Sequence, residues 1–255
     1  MALLEGKRCF VTGAASGIGL ATARRFVREG GRVALFDLNA QGLDTALVAL
    51  GSDAEACIAL PGDVSREADV VAAISRTVAS WGGLDVCVGA AGIEPYDSGD
   101  ADAHLLDVSV WQRVIDVNLT GMFLTCKHAI AAMLSSGGGS VIVTGSPTGA
   151  FGFAAGETAY SASKAGCHGL ARVMAAEYAA MGIRVHVVVP GFIDTPINAG
   201  VVADEQQLHA LLGAIPMRRM GTADEVASLN AWLASDEASY VTGGFIMVDG
   251  GQTAV

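Results

Sequence analysis

The sequence predicts an α/β protein built on one doubly wound, seven-stranded parallel sheet with helices on both faces. Three observations carry that prediction. Short aliphatic runs bounded by Gly, Asp or Asn alternate with longer stretches of helical spacing. The aliphatic runs are continuous instead of alternating with polar residues, as burial on both faces of a sheet requires. No sustained repeat, charge block or low-complexity linker divides the 255 residues, so 1–255 is expected to be a single domain.

The elements follow in order. Residues 8–12 (Arg-Cys-Phe-Val-Thr) form a first strand that stops at Gly13, and helical spacing over 17–29 ends at Gly30-Gly31. The second strand, 32–37 (Arg-Val-Ala-Leu-Phe-Asp), leads through a helix at 39–50 to a strand at 56–61. A helix over 66–81 runs into Gly82-Gly83 ahead of the strand 84–89. The long apolar helix 109–134 precedes the strand 140–145, and a second long helix, 158–181, precedes the strand 183–189. A helix at 223–234 and a strand at 244–248 close the chain. Strand–helix alternation throughout requires crossovers, hence parallel pairing. Ligands of such sheets sit beyond the carboxyl ends of the strands.

Composition excludes several classes. At 52% hydrophobic and 16% charged, with 33 Gly and 6 Pro, the chain buries a substantial core and is neither disordered nor collagen-like. A net charge of −11 repels a nucleic-acid backbone. No polybasic segment addresses an anionic membrane, and the longest unbroken non-glycine apolar run, Ala129 to Leu134, is six residues against the ~20 of a spanning helix. The first eight residues lack the basic-then-apolar order of a secretory signal, so a soluble cytoplasmic protein is expected. Five widely spaced cysteines with no Cys-x-x-Cys read as reduced structural thiols, and the five histidines show no ligand spacing, so no metal is expected.

The first strand runs into Thr12-Gly13-Ala14-Ala15-Ser16-Gly17-Ile18-Gly19 and then a helix. Glycines at 13, 17 and 19 permit a tight turn and let a pyrophosphate approach bare backbone, while the helix aims its N–H groups at that phosphate. A glycine triplet alone also marks a packing turn; its place at the first strand–helix junction points to a dinucleotide and to a Rossmann-type sheet. Eighteen residues after Gly19, Asp37 ends the second strand, where a carboxylate accepts from ribose hydroxyls and repels a 2′-phosphate. Position 15 is alanine, not a cation that would offset the repulsion. NAD is therefore expected in preference to NADP. Asp63-Val64 ends the third strand, where an acid meets an adenine amino group and a valine packs on the ring.

At the other end of the sheet, the strand Ser140-Val-Ile-Val-Thr-Gly stops at Ser146, and Tyr160-Ser-Ala-Ser-Lys164 opens a long helix. Residues four apart share a helix face. An ammonium beside a phenol favours the phenolate, which makes the pair an acid/base suited to an alcohol or a developing alkoxide. Ser146 is placed to donate to the same oxygen.

These motifs together resemble the short-chain dehydrogenase/reductase family, in its compact single-domain branch. The resemblance rests on Thr12-Gly13-x-x-x-Gly17-Ile18-Gly19, Asp63-Val64, Asn118 in Val-Asn-Leu-Thr-Gly, Ser146, Tyr160-x-x-x-Lys164, Pro190-Gly191-x-x-x-Thr195 and Val248-Asp249-Gly250-Gly251. It implies Tyr160 as general acid/base, with Lys164 holding the nicotinamide ribose and Ser146 polarising the substrate carbonyl. Asn118 would anchor a water through its backbone. Pro190, Gly191, Ile193 and Thr195 would line the nicotinamide. Gly13, Ser16, Gly17, Ile18, Gly19, Asp37, Asp63, Val64 and Gly92 would hold the rest of NAD. Two departures stand out. Gly89-Ala90-Ala91-Gly92 replaces the frequent Asn-Asn-Ala-Gly, which removes side-chain bonds across the sheet, and the Ser146–Tyr160 interval is one residue longer than usual, which predicts a bulged loop.

The expected activity is hydride transfer between NAD and a secondary alcohol or its ketone. A non-catalytic NAD sensor and an NAD-recycling dehydratase or epimerase are the alternatives. Pocket walls are expected from 94–102, 147–157 and 193–216, the last a substrate lid, with Tyr96, Phe151, Phe153, Phe192 and Ile197 giving an apolar lining and Glu94 and Glu157 facing a polyol or solvent. Small residues on the two long helices (Ala129, Ala132, Ala162, Ala165, Gly166, Gly169) allow close helix contact, which the resemblance places between subunits of a homodimer or homotetramer.

Overall fold

The computed structural model describes residues 2–93, 98–151, 155–198, 202 and 205–254, with the side chains of Ile197 and Gln207 outside that description. Its centre is a parallel sheet of β1 (Arg8–Thr12), β2 (Arg32–Asp37), β3 (Cys57–Pro61), β4 (Val86–Gly89), β5 (Gly139–Thr144), β6 (Ile183–Pro190) and, last in the chain, β9 (Phe245–Val248). The spatial order is β3-β2-β1-β4-β5-β6-β9. Every neighbouring pair is parallel. The doubly wound, seven-stranded reading of the sequence is therefore correct. Because β1 lies between β2 and β4, the winding reverses there and opens a crevice above their carboxyl ends.

Two helical layers close the sheet. One holds α1 (Gly17–Arg28), α2 (Ala40–Leu50) and α9 (Ala223–Ala234), which bury Phe26, Leu43 and Leu233 against Val11, Val33 and Ile142. The other holds α3 (Glu67–Trp81), α5 (Gly121–Ser136) and α7 (Thr158–Tyr178), which bury Val70, Met133 and Met174 against Phe10, Val141 and Val185. Alternate strand residues thus serve opposite layers, and both are apolar, which is why the strands read as unbroken aliphatic runs. Cys9, Cys87, Cys126 and Cys167 are buried free thiols whose pKa is pushed up by that burial.

The differences from expectation are local. Helix 109–134 is α4 (Val108–Ile115) and α5 joined by a π turn at Asp116–Thr120. The segment 193–216, read from the sequence as partly helical, contains α8 (Glu205–Ala214), whereas α6 (Pro147–Phe151) and a two-stranded sheet of β7 (Ile193–Asp194) with β8 (Gly221–Thr222) were not foreseen. Thr222 and Glu225 then form a capping box that starts α9. The helix Val108–Ser136 is long and apolar enough to cross a membrane, although no apolar run in it exceeds six residues; half of its most apolar window is buried inside the protein.

The strand expected from residue 84 begins at Val86, with Asp85 just ahead of it bound to Arg8. The Arg8 guanidinium donates two bonds of 2.7 Å to the Asp85 carboxylate, and the Arg8 N–H donates a third of 2.8 Å. Partial burial raises the carboxyl pKa, but the Arg8 bonds and charge outweigh it and hold the group below its usual range. The pair's contribution is therefore complete above the unfolded value of about 3.9 and is lost as pH falls through the lower folded value. Asp85→Ala is expected to cost about 1–3 kcal/mol near neutral pH, read in thermal melts. The gap to wild type should close in acid, with nucleotide binding at the opposite end of the sheet unchanged.

Candidate active site

A cleft of about 560 Å³ opens above the carboxyl ends of the strands, and it gathers most of the residues singled out in the sequence. Gly13, Ser16, Gly17, Ile18, Gly19, Asp37, Asp63, Val64 and Gly92 line it. Ser146, Tyr160, Lys164, Pro190, Gly191, Ile193 and Thr195 line it too, and Gly92 and Gly17 come close to Lys164 and Thr195, respectively. Asn118 is the exception: it is 1% exposed and stands behind the wall, with Val117 at the surface.

The glycine turn is required by close approach. A Cβ on Gly19 would collide with the Gly13 carbonyl oxygen, and one on Gly13 (φ +67°) would lie 2.8 Å from Ala91 N. Ser16 is the N-cap of α1, yet its hydroxyl makes no capping bond, so it and the first-turn N–H groups face the cleft. That arrangement fits a pyrophosphate. Asp37 accepts from Ala15 N at 3.0 Å and Asn39 N at 2.9 Å, which fixes its carboxylate at the cleft edge. One oxygen of Asp63 is engaged by Ser65 through its N–H (2.8 Å) and hydroxyl (2.7 Å). Among the described lining residues Lys164 is the one cation, against Asp37, Asp63 and Glu157. A dinucleotide fits this wall.

In the same cleft, the end of β5 and the first turns of α7 bring three side chains together. Lys164, 5% exposed, donates from Nζ to the Thr144 carbonyl at 3.0 Å and lies 5.6 Å from the Tyr160 ring centroid. Ser146 Oγ lies 3.1 Å from Thr148 Oγ1 and accepts from Thr148 N at 3.4 Å, so its proton is available to Thr148 or to an oxygen in the cleft. The long Ser146–Tyr160 interval contains α6 where a bulged loop was expected, and Pro147 begins that helix, a favoured position for proline. His168, one turn beyond Lys164, is 4% exposed; burial first, and the Lys164 charge second, push its pKa down to about 4.

Asn118 has its carboxamide committed to the chain leaving β4. Its Nδ2 donates to Ile93 O at 2.9 Å and its Oδ1 accepts from Ile93 N at 2.8 Å. Its carbonyl, the group the resemblance assigns to a water, accepts from Cys167 Sγ at 3.2 Å, which leaves one lone pair for any other donor. It sits in the π turn, where the register change frees backbone groups.

Of the residues expected in the pocket walls, Phe192 and Glu157 line the cleft, as do Asn198, Leu211 and Gln252, while Phe151 is 57% exposed. Glu94, Tyr96 and Phe153, and the side chain of Ile197, lie outside the described residues. The sequence also gave no sign of Asp100. Its carboxylate accepts from Tyr160 N at 2.8 Å and Ala159 N at 3.0 Å and so caps α7 from a distant loop, while the helix's own N-cap, Glu157, makes no side-chain capping bond. A contact between positions 60 residues apart has no local signature.

Comparison with known proteins agrees with this architecture. The family model described as "Enoyl-(Acyl carrier protein) reductase" matches residues 13–253. The chain is 45% identical over 246 residues to cis-4-hydroxycyclohexanecarboxylate dehydrogenase of Sinomonas cyclohexanicum, covering 96% of each chain. It is 41% identical to 3beta-hydroxysteroid dehydrogenase 1 of Eggerthella lenta, covering 98% of this chain and 95% of the relative. The crystal structure of gox2181 superposes with a TM-score of 0.93 at 32% identity, covering 99% and 97% of the two chains. A parallel doubly wound sheet with a cleft at its switch point defines a Rossmann-fold protein. The chain belongs to the short-chain dehydrogenase/reductase family.

Asp100→Ala should remove the distant cap and cost about 1–2 kcal/mol, seen as a lower thermal midpoint. Amide exchange at Ala159 and Tyr160 should accelerate while β1 and β4 keep their protection.

Proposed function

We propose that the protein is an NAD-dependent dehydrogenase or ketoreductase acting on a secondary alcohol. The observation that carries this reading is the convergence of Tyr160, Lys164 and Ser146 on the cleft that also holds the glycine turn and Asp37. In this reading Gly13, Ser16, Gly17, Ile18 and Gly19 hold the pyrophosphate and Asp37 the adenosine ribose. Asp63 and Val64 face the adenine, Gly92 lies against the dinucleotide near Lys164, and Pro190, Gly191, Ile193 and Thr195 face the nicotinamide. Bound there, a nicotinamide dinucleotide supplies a two-electron acceptor for the hydrogen on the carbinol carbon.

The chain supplies position and proton chemistry. The Tyr160 phenolic oxygen takes the hydroxyl proton in oxidation and returns it in reduction. Lys164, anchored on Thr144 O, presents its charge beside that ring and reaches the nicotinamide ribose. Ser146 donates a hydrogen bond to the substrate oxygen, where negative charge develops. Asn118 holds Gly92 and Ile93 in place and offers its carbonyl to a water serving Lys164.

A ring alcohol is the proposed substrate class. Phe192, Pro196 and Leu211 give the cleft an apolar side with Asn198 and Gln252 as polar neighbours, and two relatives are named for a hydroxycyclohexanecarboxylate and a hydroxysteroid. Segment 193–216 is proposed as the lid over that substrate. A cytoplasmic homodimer or homotetramer is proposed: Ala129 and Gly166 pack within the chain, whereas Ala165, Gly169 and Val173 are exposed on α7.

NADH formation should be followed with a panel of secondary alcohols that includes cis-4-hydroxycyclohexanecarboxylate and 3β-hydroxysteroids. Tyr160→Phe should lower kcat by about 10²–10⁴-fold with NAD binding retained. Equal inertness of wild type and variant with NAD bound would favour a sensor, and tightly retained NAD with no net NADH would favour a dehydratase or epimerase. Separately, Asp37→Ala should shift the NAD:NADP preference toward NADP by about tenfold or more. An unchanged ratio would remove Asp37 from the ribose site.

A further inference from the structure

The stripe on α7 that begins with Tyr160 and Lys164 does not end there. His168 is the next residue on the same face, and its Nε2 accepts from the Ser146 N–H at 3.4 Å. Successive turns of one helix thus hold the end of β5 at two points, Lys164 on the Thr144 carbonyl and His168 on the Ser146 amide. The intervening Gly145 makes room: a Cβ there would strike His168 Nε2 and lie 2.8 Å from Val187 Cγ1. The far side of the imidazole packs on Phe245, with ring centroids 4.9 Å apart. The other ring nitrogen, Nδ1, is buried with no hydrogen-bond partner among the described residues. With Nε2 accepting, the neutral ring carries its proton on Nδ1. A buried N–H left unpaired works against stability, and an apolar side chain of similar size would avoid that cost.

The geometry points to His168 as a positioning residue that aims Ser146 through its backbone amide. This rests on the reading of Ser146 as the donor to the substrate oxygen. At 3.4 Å the bond is long, and the imidazole packed between Gly145 and Phe245 fixes where the Ser146 amide can lie. Direction matters because the hydroxyl must meet the substrate oxygen as charge develops on it, and a misplacement of about 1 Å costs up to about 10²-fold in rate.

The experiment compares wild type, Ser146→Ala, His168→Leu, His168→Gln and Gly145→Ala by steady-state kinetics, NADH binding and thermal melting, together with ¹⁵N imidazole shifts of the wild type. His168→Leu should lower kcat and kcat/KM together by about 10–100-fold. NADH binding should be unchanged and the melting midpoint should move little, because the variant removes the unpaired Nδ1–H but also leaves the Ser146 N–H without its acceptor. His168→Gln, which offers an amide oxygen in place of Nε2, should recover most of the lost turnover. Gly145→Ala should imitate His168→Leu in kcat, and the ¹⁵N shifts should show Nε2 without a proton. Wild-type turnover in His168→Leu would overturn the proposal, as would a proton on Nε2. So would loss of activity in His168→Leu that tracks a lower melting midpoint and is not recovered by His168→Gln. If Ser146→Ala itself turned over normally, the reading of Ser146 would fail; if only His168→Leu did, His168 alone would.

Discussion

The seat of α7 on the end of β5 is the contact on which the site depends. It is made by Lys164 on Thr144 O and His168 on the Ser146 amide, and a backbone-to-backbone approach of α6 supports α7 there. A Cβ on Gly149 would lie 2.6 Å from the Lys164 carbonyl carbon and 2.7 Å from Ala165 N, so α6 rests directly on the helix that carries Tyr160. On the opposite side, a Cβ on Gly166 would lie 2.7 Å from the Leu119 side chain. With α7 held between those surfaces, Lys164 reaches Thr144 O without extending into solvent, and Tyr160, one turn earlier, has the cleft as its open direction. A helix displaced outward by one side-chain layer would leave the same residues in the sequence and no site in the fold.

Burying polar groups around that seat opposes folding. Lys164, His168, Asn118 and Ser163 are each no more than 5% exposed, and all lie on α7 or the π turn that faces it. Most of their hydrogen-bonding capacity is used: Asn118 on Ile93 and Ser163, Ser163 on Tyr160 O, and Lys164 on Thr144 O. Among the described residues of α7, His168 Nδ1 and Ser161 Oγ are buried without a hydrogen-bond partner. The apolar layers on both faces of the sheet supply the stability that tolerates this.

Much of the fold was legible because parallel strands buried on both faces leave an aliphatic run that little else imitates; β1, β2 and α9 fall where the sequence puts them, residue for residue. What escaped was either short or made by contact. The strands β7 and β8 have two residues each and pair across 28 positions, with no periodicity to read. The π turn at Asp116–Thr120 has the composition of the helices on either side. In the site, the residue types and spacings that phosphate and proton transfer require are local, so the glycine turn and the Tyr–Lys pair stood out. Asp100 on Tyr160 N and His168 on Ser146 N join distant segments through ordinary residues, and only the folded chain pairs them.

The loss of the Asn-Asn pair after β4 shows how such a contact is replaced. Thr12 Oγ1 accepts from both Ala90 N and Ala91 N at 3.1 Å and ties the end of β1 to the chain leaving β4 through side-chain oxygen and backbone alone. The space that a side chain at 89 would fill is taken by the Met122 thioether, which a Cβ on Gly89 would strike. A flexible, unbranched sulfur side chain suits an irregular gap of this kind. Polar bonds across the sheet are thus exchanged for packing from α5 and one bifurcated hydroxyl. The crevice beside them keeps its shape because Gly13 still meets Ala90 and Ala91 at backbone distance. The crevice depends on that distance more than on the side chains at 89 and 90, whose places are taken by Met122 and by the Thr12 hydroxyl's two bonds.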